Sequence, residues 1–116
     1  MVMRAALYAR YSTDRQRETS IGDQLRAAHD RAAREGWPIV ATRADEGISG
    51  STPVALRPGG KALLADALAG RFDVLILEGL DRLSRELGEA ETMVKRLEHR
   101  GIRIVGTADS RHTAAR

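Results

Sequence analysis

Ser12 and four arginines set the terms for any chemistry this chain performs. Side chains alternate across a strand, so Tyr8, Arg10 and Ser12 share one face of the first apolar segment, with Ser12 at its carboxyl end. Seventy residues on, Asp81-Arg82-Leu83-Ser84-Arg85 follows a second apolar segment that ends at Leu77. A hydroxyl, several guanidiniums and a carboxylate meeting at one rim would suit phosphoryl transfer. Negative charge builds on the non-bridging oxygens of a pentacoordinate phosphorus, and fixed donors aimed there lower the barrier. A serine hydroxyl needs activation. None of His29, His99 and His112 has an evident route to Ser12, so a Ser-His-Asp hydrolase is disfavoured. Surrounding positive charge would favour the alkoxide instead.

Rival chemistries lack their marks. There is no G-x-x-x-x-G-K-[ST] and no helix-opening G-x-G-x-x-G. The first strand ends in Arg and Ser, where a magnesium phosphatase or phospho-receiver would want Asp. No H-E-x-x-H or carboxylate cluster suggests a metal, so chemistry without metal or cofactor is expected. Cysteine is absent, which removes disulfides and thiolate sites. Net charge is +3, with 19 Lys and Arg of which 17 are Arg. Genomic GC bias accounts for most of that preference, and only particular arginines carry function. The apolar run Val74-Leu75-Ile76-Leu77 is too short to span a bilayer, and Arg4 and Arg10 interrupt the start, so a cytoplasmic protein without membrane contact is expected.

These groups must be positioned by alternating elements. Strands are expected over 4–11, 38–43, 73–77 and 102–105. A helix starts after Ser20, with Asp23 as a capping-box variant, and stops at Gly36. A second spans 61–69. A third is expected from Leu80 to Gly101, on the spacing of Leu80, Leu83, Leu87, Ala90, Val94 and Leu97. Residues 45–60, rich in Gly and Pro, read as a long loop. The order β-α-β-α-β-α-β implies a three-layer α/β/α sandwich around a short, mainly parallel sheet of four or five strands. Ligands of such sheets sit beyond the carboxyl ends of the strands, near the switch point in strand order.

Tyr8-Ala9-Arg10-Tyr11-Ser12-Thr13, followed by Gln16 and Gln24, resembles the opening signature of the resolvase/invertase family of serine site-specific recombinases. Asp81-Arg82-Leu83-Ser84-Arg85 is similar to its second signature, Asp45 and Ser49-Gly50 to the segment after its second strand, and Arg57-Pro58-Gly59 to its mobile-loop arginine. The spacing of Gln16 and Gln24, together with Arg-Pro-Gly, looks more like the large serine integrases. The resemblance spans roughly residues 4–106. It implies that Ser12 attacks a DNA phosphate to give a 5′-phosphoserine bond and a free 3′-hydroxyl, without ATP or metal. It further implies that Arg10, Arg82 and Arg85 clamp the phosphate, and that Asp81 orients them or manages the leaving-group proton. Arg57 would join as its loop closes, and Gln16 and Gln24 would position Ser12. Double-stranded DNA and further copies of the protein, in dimers or tetramers, are the implied partners.

Two departures stand out. Small members of the family carry a lysine inside the second helix where this chain has Asp66, with Lys61 the only substitute. The catalytic domain is assigned to 1–106 and a polar tail to 107–116, ending before the family's long dimerisation helix. Two other classes remain: a silent regulatory domain that pairs with recombinase subunits, and a phosphate-binding α/β domain unrelated to DNA. Single residues also have plain readings. Tyr8 could pack in the core, Gln24 could lie on a helix surface, Asp45 could serve a turn, Asp81 could cap a helix, Trp37 could be a core edge, and Arg96, Arg100 and Arg103 could form a solvated face.

Overall fold

A computed structural model describes residues 2–12 and 19–108. Its elements are β1 (Ala5–Tyr11), α1 (Ile21–Glu35), β2 (Ile39–Glu46), a 3-10 turn (Val54–Leu56), α2 (Pro58–Leu68), β3 (Val74–Leu77), a second 3-10 turn (Leu80–Arg82), α3 (Leu87–His99) and β4 (Arg103–Gly106). The sheet has four strands in the order β2-β1-β3-β4, and every pairing is parallel. Between β1 and β3 the chain changes direction across the sheet. This is the switch point, and β1 and β3 both point their carboxyl ends to the same rim.

Alternation along the strands splits the core in two. Ala6, Tyr8, Leu75, Leu77 and Ile104 face α2 and α3, where Leu63, Ala67, Val94 and Leu97 cover them. Ala5, Leu7, Val74, Ile76 and Val105 face α1, through Ala28 and Ala32. Burial of each large aliphatic side chain contributes about 1.5–3 kcal/mol. β1 and β3 are central and covered on both sides, which is why they read as unbroken apolar runs. β2 lies at the edge and alternates instead.

Helix ends follow local chemistry. Ser20 Oγ accepts the Asp23 N–H at 3.1 Å, as expected, while the Asp23 carboxylate turns to Arg26 rather than back to the cap. Gly36 ends α1 with φ +75°, a left-handed conformation that glycine adopts without strain.

The structure departs from expectation in two places. The 45–60 segment is more regular than its Gly and Pro content suggests, because β2 runs to Glu46 and α2 begins at Pro58, whose fixed φ suits a first helical position. And α3 starts at Leu87, not Leu80: residues 80–82 form a separate tight turn, and Glu86 caps the helix by accepting the Glu89 N–H at 2.8 Å. Asp81 therefore does not cap α3. Leu80 and Leu83 keep helical spacing because both pack toward the same core from a tight turn, whereas Leu87, at the first position of α3, is exposed.

Candidate active site

Arg10, Ser12, Arg57, Arg82 and Ser84 are all buried at the rim formed by the ends of β1 and β3. Arg10 leaves β1 with its guanidinium against backbone. Nη1 donates to the Ile48 carbonyl at 2.9 Å, and Nη2 to the Asp81 carbonyl at 3.1 Å. Arg82 reaches back across the switch point, with Nη1 on the Arg10 carbonyl and Nη2 on Asp81 Oδ2, both at 2.6 Å. These bonds join the two signature segments. The three-residue spacing of Arg82 and Arg85 would put them on one side of a helical turn, but Arg82 ends a tight turn and Arg85 lies in the bend that follows, before α3 begins.

Arg85 differs from Arg10 and Arg82 in that two of its buried guanidinium nitrogens, not one, lack a hydrogen-bond partner. Its backbone N–H donates to the Gly50 carbonyl at 3.3 Å, yet Nε and Nη2 are buried with no hydrogen-bond partner. Arg85 also lines a cavity of about 390 Å³, together with Glu78, Gly79, Asp81 and Ser84. Gly50 permits this crowding. A Cβ there would lie 2.7 Å from the Arg85 stem and 3.0 Å from Arg10 Nη2, so glycine is needed for the close approach.

Gln24 is buried in α1 and is not a surface residue. Its Oε1 accepts the Arg10 N–H at 3.2 Å, and its Nε2 donates to the Arg10 carbonyl at 2.9 Å and the Thr19 carbonyl at 2.7 Å. It thereby fixes the backbone just before Ser12, which is itself only 2% exposed. Gln16 lies outside the described residues.

Arg57 is fully buried and is engaged on all sides. Nε donates to the Thr52 carbonyl, Nη1 to the Tyr8 hydroxyl and the Arg82 carbonyl, and Nη2 to the Gly50 and Leu83 carbonyls. Tyr8 in turn donates to Asp45 Oδ2 at 2.7 Å. Asp45 also accepts the Gly59 and Gly60 N–H groups at the start of α2, at 2.7 and 2.8 Å. Burial pushes the Tyr8 hydroxyl up to about 12; the Arg57 hydrogen bond opposes this rise and the Asp45 bond adds to it. Tyr8 and Asp45 thus exceed the packing and turn roles that their sequence positions allow on their own.

Other expectations fall away from the rim. Asp66 is buried and paired with Arg43, at 2.9 Å, and with Arg71, so an arginine from β2 meets a carboxylate where the resemblance implies a lysine. Lys61 is exposed. Trp37 is a half-buried core edge flanked by the guanidiniums of Arg31 and Arg103, at 5.9 and 5.5 Å from its ring centre. Arg103 therefore does not belong to a purely solvated face.

Sequence reasoning held Ser84 within the second signature without giving it a role, and passed over Glu89. Ser84 Oγ donates to Glu89 Oε1 and accepts the Glu86 N–H, each at 3.1 Å. For Glu89 the sequence signal was the Glu86-x-x-Glu89 spacing at a helix start.

The Resolvase, N terminal domain family matches residues 5–116. The chain belongs to that family. It is the catalytic domain of a serine recombinase, and the serine recombinases cleave and rejoin DNA in site-specific recombination. The N-terminal catalytic domain of TP901-1 integrase is similar to it at 29% identity and a TM-score of 0.83, over 97% of this chain and 84% of that one. The C-terminal catalytic domain of IS1535 TnpA, an IS607-like serine recombinase, aligns at 28% identity and 0.66, over 88% and 69%. A resolvase family site-specific recombinase from Streptococcus pneumoniae shares the fold at 18% identity and 0.73, over 93% and 74%. None of the curated protein sequences matches significantly. Among the described residues, no helix of this recombinase domain is long and apolar enough to cross a membrane.

Proposed function

We propose that Ser12 Oγ gives up its proton and attacks the scissile phosphate of double-stranded DNA, forming a 5′-phosphoserine ester as the P–O3′ bond breaks and the 3′-oxygen takes up a proton, with no net proton gained or lost. Arg10, Arg82 and Arg85 hold the non-bridging oxygens. Asp81, bonded to Arg82 Nη2, sets the clamp and serves the proton of the leaving oxygen. Gln24, and Gln16 with it, position the backbone around Ser12. Arg57 acts as a brace beneath the clamp, since its donors already hold the carbonyls of Arg82 and Leu83. Religation reverses the attack and recovers the bond energy stored in the ester. The protein works on DNA in the cytoplasm, through dimers or tetramers.

The observation that supports this reading best is Arg85. Buried N–H groups are rarely left unsatisfied, and exceptions call for an explanation. An arriving phosphate at the rim would satisfy them. Because Ser12 is nearly inaccessible, DNA binding must open that rim before attack.

The test is a covalent adduct. The protein is incubated with DNA that flanks its own gene, digested with nuclease, and searched by mass spectrometry for a phosphonucleotide on Ser12. Ser12→Ala should still bind DNA and form no adduct; an adduct in that variant removes Ser12 from the reaction. Arg10, Arg82 or Arg85→Ala should each lower cleavage at least ~10²-fold, as loss of one preorganised donor does elsewhere.

A further inference from the structure

Arg82 and Arg85 are held in place by different means. The head of Arg82 is anchored by Asp81 and by the Arg10 carbonyl. That of Arg85 leaves Nε and Nη2 without partners, so its direction depends on the backbone of residues 84–86 and on its stem packed over Gly50. Gly50 grips that backbone on one side, accepting the Arg85 N–H. On the other side the next peptide, the Glu86 N–H, is gripped by Ser84 Oγ, which also donates to Glu89 on the first turn of α3. The helix start is closed by Glu86 accepting the Glu89 N–H.

We infer that Ser84 and Glu89 are positioning residues for Arg85: together they staple the arginine-bearing turn to the start of α3 and aim the guanidinium at its anion. The inference rests on the reading of Arg85 as a phosphate ligand. Ser84 is nearly buried and borders both the 390 Å³ cavity beside Arg85 and a cavity of about 520 Å³ lined by Val54, Leu83 and Met93 among others. A serine between two cavities can be replaced without steric cost. Its hydroxyl is therefore the feature that matters, and threonine, which keeps that hydroxyl, should fit.

Positioning predicts coupling. Residues acting through one shared group give non-additive effects, whereas independent structural effects add. The full chain is titrated with inorganic phosphate while the arginine Nε resonances are followed by two-dimensional NMR. Arg85 Nε should shift saturably. Ser84→Ala should weaken that binding about tenfold, the scale of one or two lost hydrogen bonds. Ser84→Thr should restore it, and Glu89→Ala should weaken it similarly while Glu89→Gln does not. In an Arg85→Ala background, Ser84→Ala should add nothing. Equal and additive losses in both backgrounds, or Ser84→Ala titrating like the unaltered chain, would overturn the positioning role. Arg85→Ala binding phosphate as tightly as the unaltered chain, or no saturable shift at all, would overturn the phosphate role of Arg85 instead. Glu89 is exposed, so its variants keep the test open if Ser84→Ala fails to fold.

Discussion

At the scale of single residues, the rim is built from arginines whose heads mostly rest on backbone carbonyls. Arg57 is the extreme case. Replacing it by alanine strips the Arg82 and Leu83 carbonyls of their donor, at about 1–3 kcal/mol for each group left unsatisfied. Urea unfolding should therefore show Arg57→Ala to be markedly less stable, and an unchanged midpoint would deny it the bracing role. Tyr8 offers a cleaner probe. Its hydroxyl is pushed up to about 12 from 10.0 by burial. Ultraviolet titration should show one tyrosine ionising near pH 12. A raised folded-state value means that the folded chain keeps a proton the unfolded chain has lost. Stability should thus fall as pH climbs from about 10 toward 12, and Tyr8→Phe should lessen that dependence. Asp73 behaves oppositely: Arg4 holds its carboxyl below the usual range, so the stability it contributes is present at neutral pH and is lost on acidification. Both groups of that pair are well exposed, so the effect is small.

At the scale of elements, the join between β2 and α2 matters most. Asp45 caps the start of α2 from the preceding strand, where the sequence offers no side-chain cap next to Pro58. The helix approaches so closely that a Cβ on Gly59 would overlap the Ala44 carbonyl, and one on Gly60 the Val54 carbonyl. Backbone cannot yield as a side chain can. Gly59→Ala and Gly60→Ala should each cost about 1–3 kcal/mol, the usual range for overpacking. Thermal unfolding would reveal it, and a variant as stable as the parent would mean that α2 can shift. The turn after β3 is the second critical element. That turn and the residues up to Arg85 face three neighbours at once: Arg82 meets Arg57, Ser84 meets Glu89 and Arg85 meets Gly50.

At the scale of the whole molecule, the sheet order places β1 and β3 side by side at the switch point. That adjacency brings residue 10 to residue 82 across 72 positions of chain. Leu75 lies in β3, fully buried in the larger core cluster. Leu75→Ala should cost about 2–5 kcal/mol, read from the denaturant midpoint. Because Leu75 belongs to the core and does not line the cavity beside Arg85, phosphate binding at temperatures where the variant stays folded should weaken less than stability does. A loss of binding without loss of stability would place Leu75 in the site itself.

The amino-acid order by itself determined the periodicities, and with them the four strands, three helices and layered class. It also determined the two signature segments, because each is contiguous: Ser12 two residues beyond Arg10, and Arg82 and Arg85 within one short stretch. Their convergence at one rim was legible too, since parallel strands end on the same side. Tertiary structure decided what pattern alone could not. Leu80 and Leu83 keep helical spacing through a turn that is not α-helical, because the core rewards burial and not any particular backbone, while Leu87 fits the same spacing and is exposed. Asp45, Tyr8 and Arg57 each stood in a stretch that carried the resemblance, but nothing in their spacing linked them to one another, and only burial side by side turned them into a network. Ser84 and Glu89 acquired their link in the same way. A hydrogen bond between distant residues depends on where the folded chain brings them, and that is a property of packing, not of spacing.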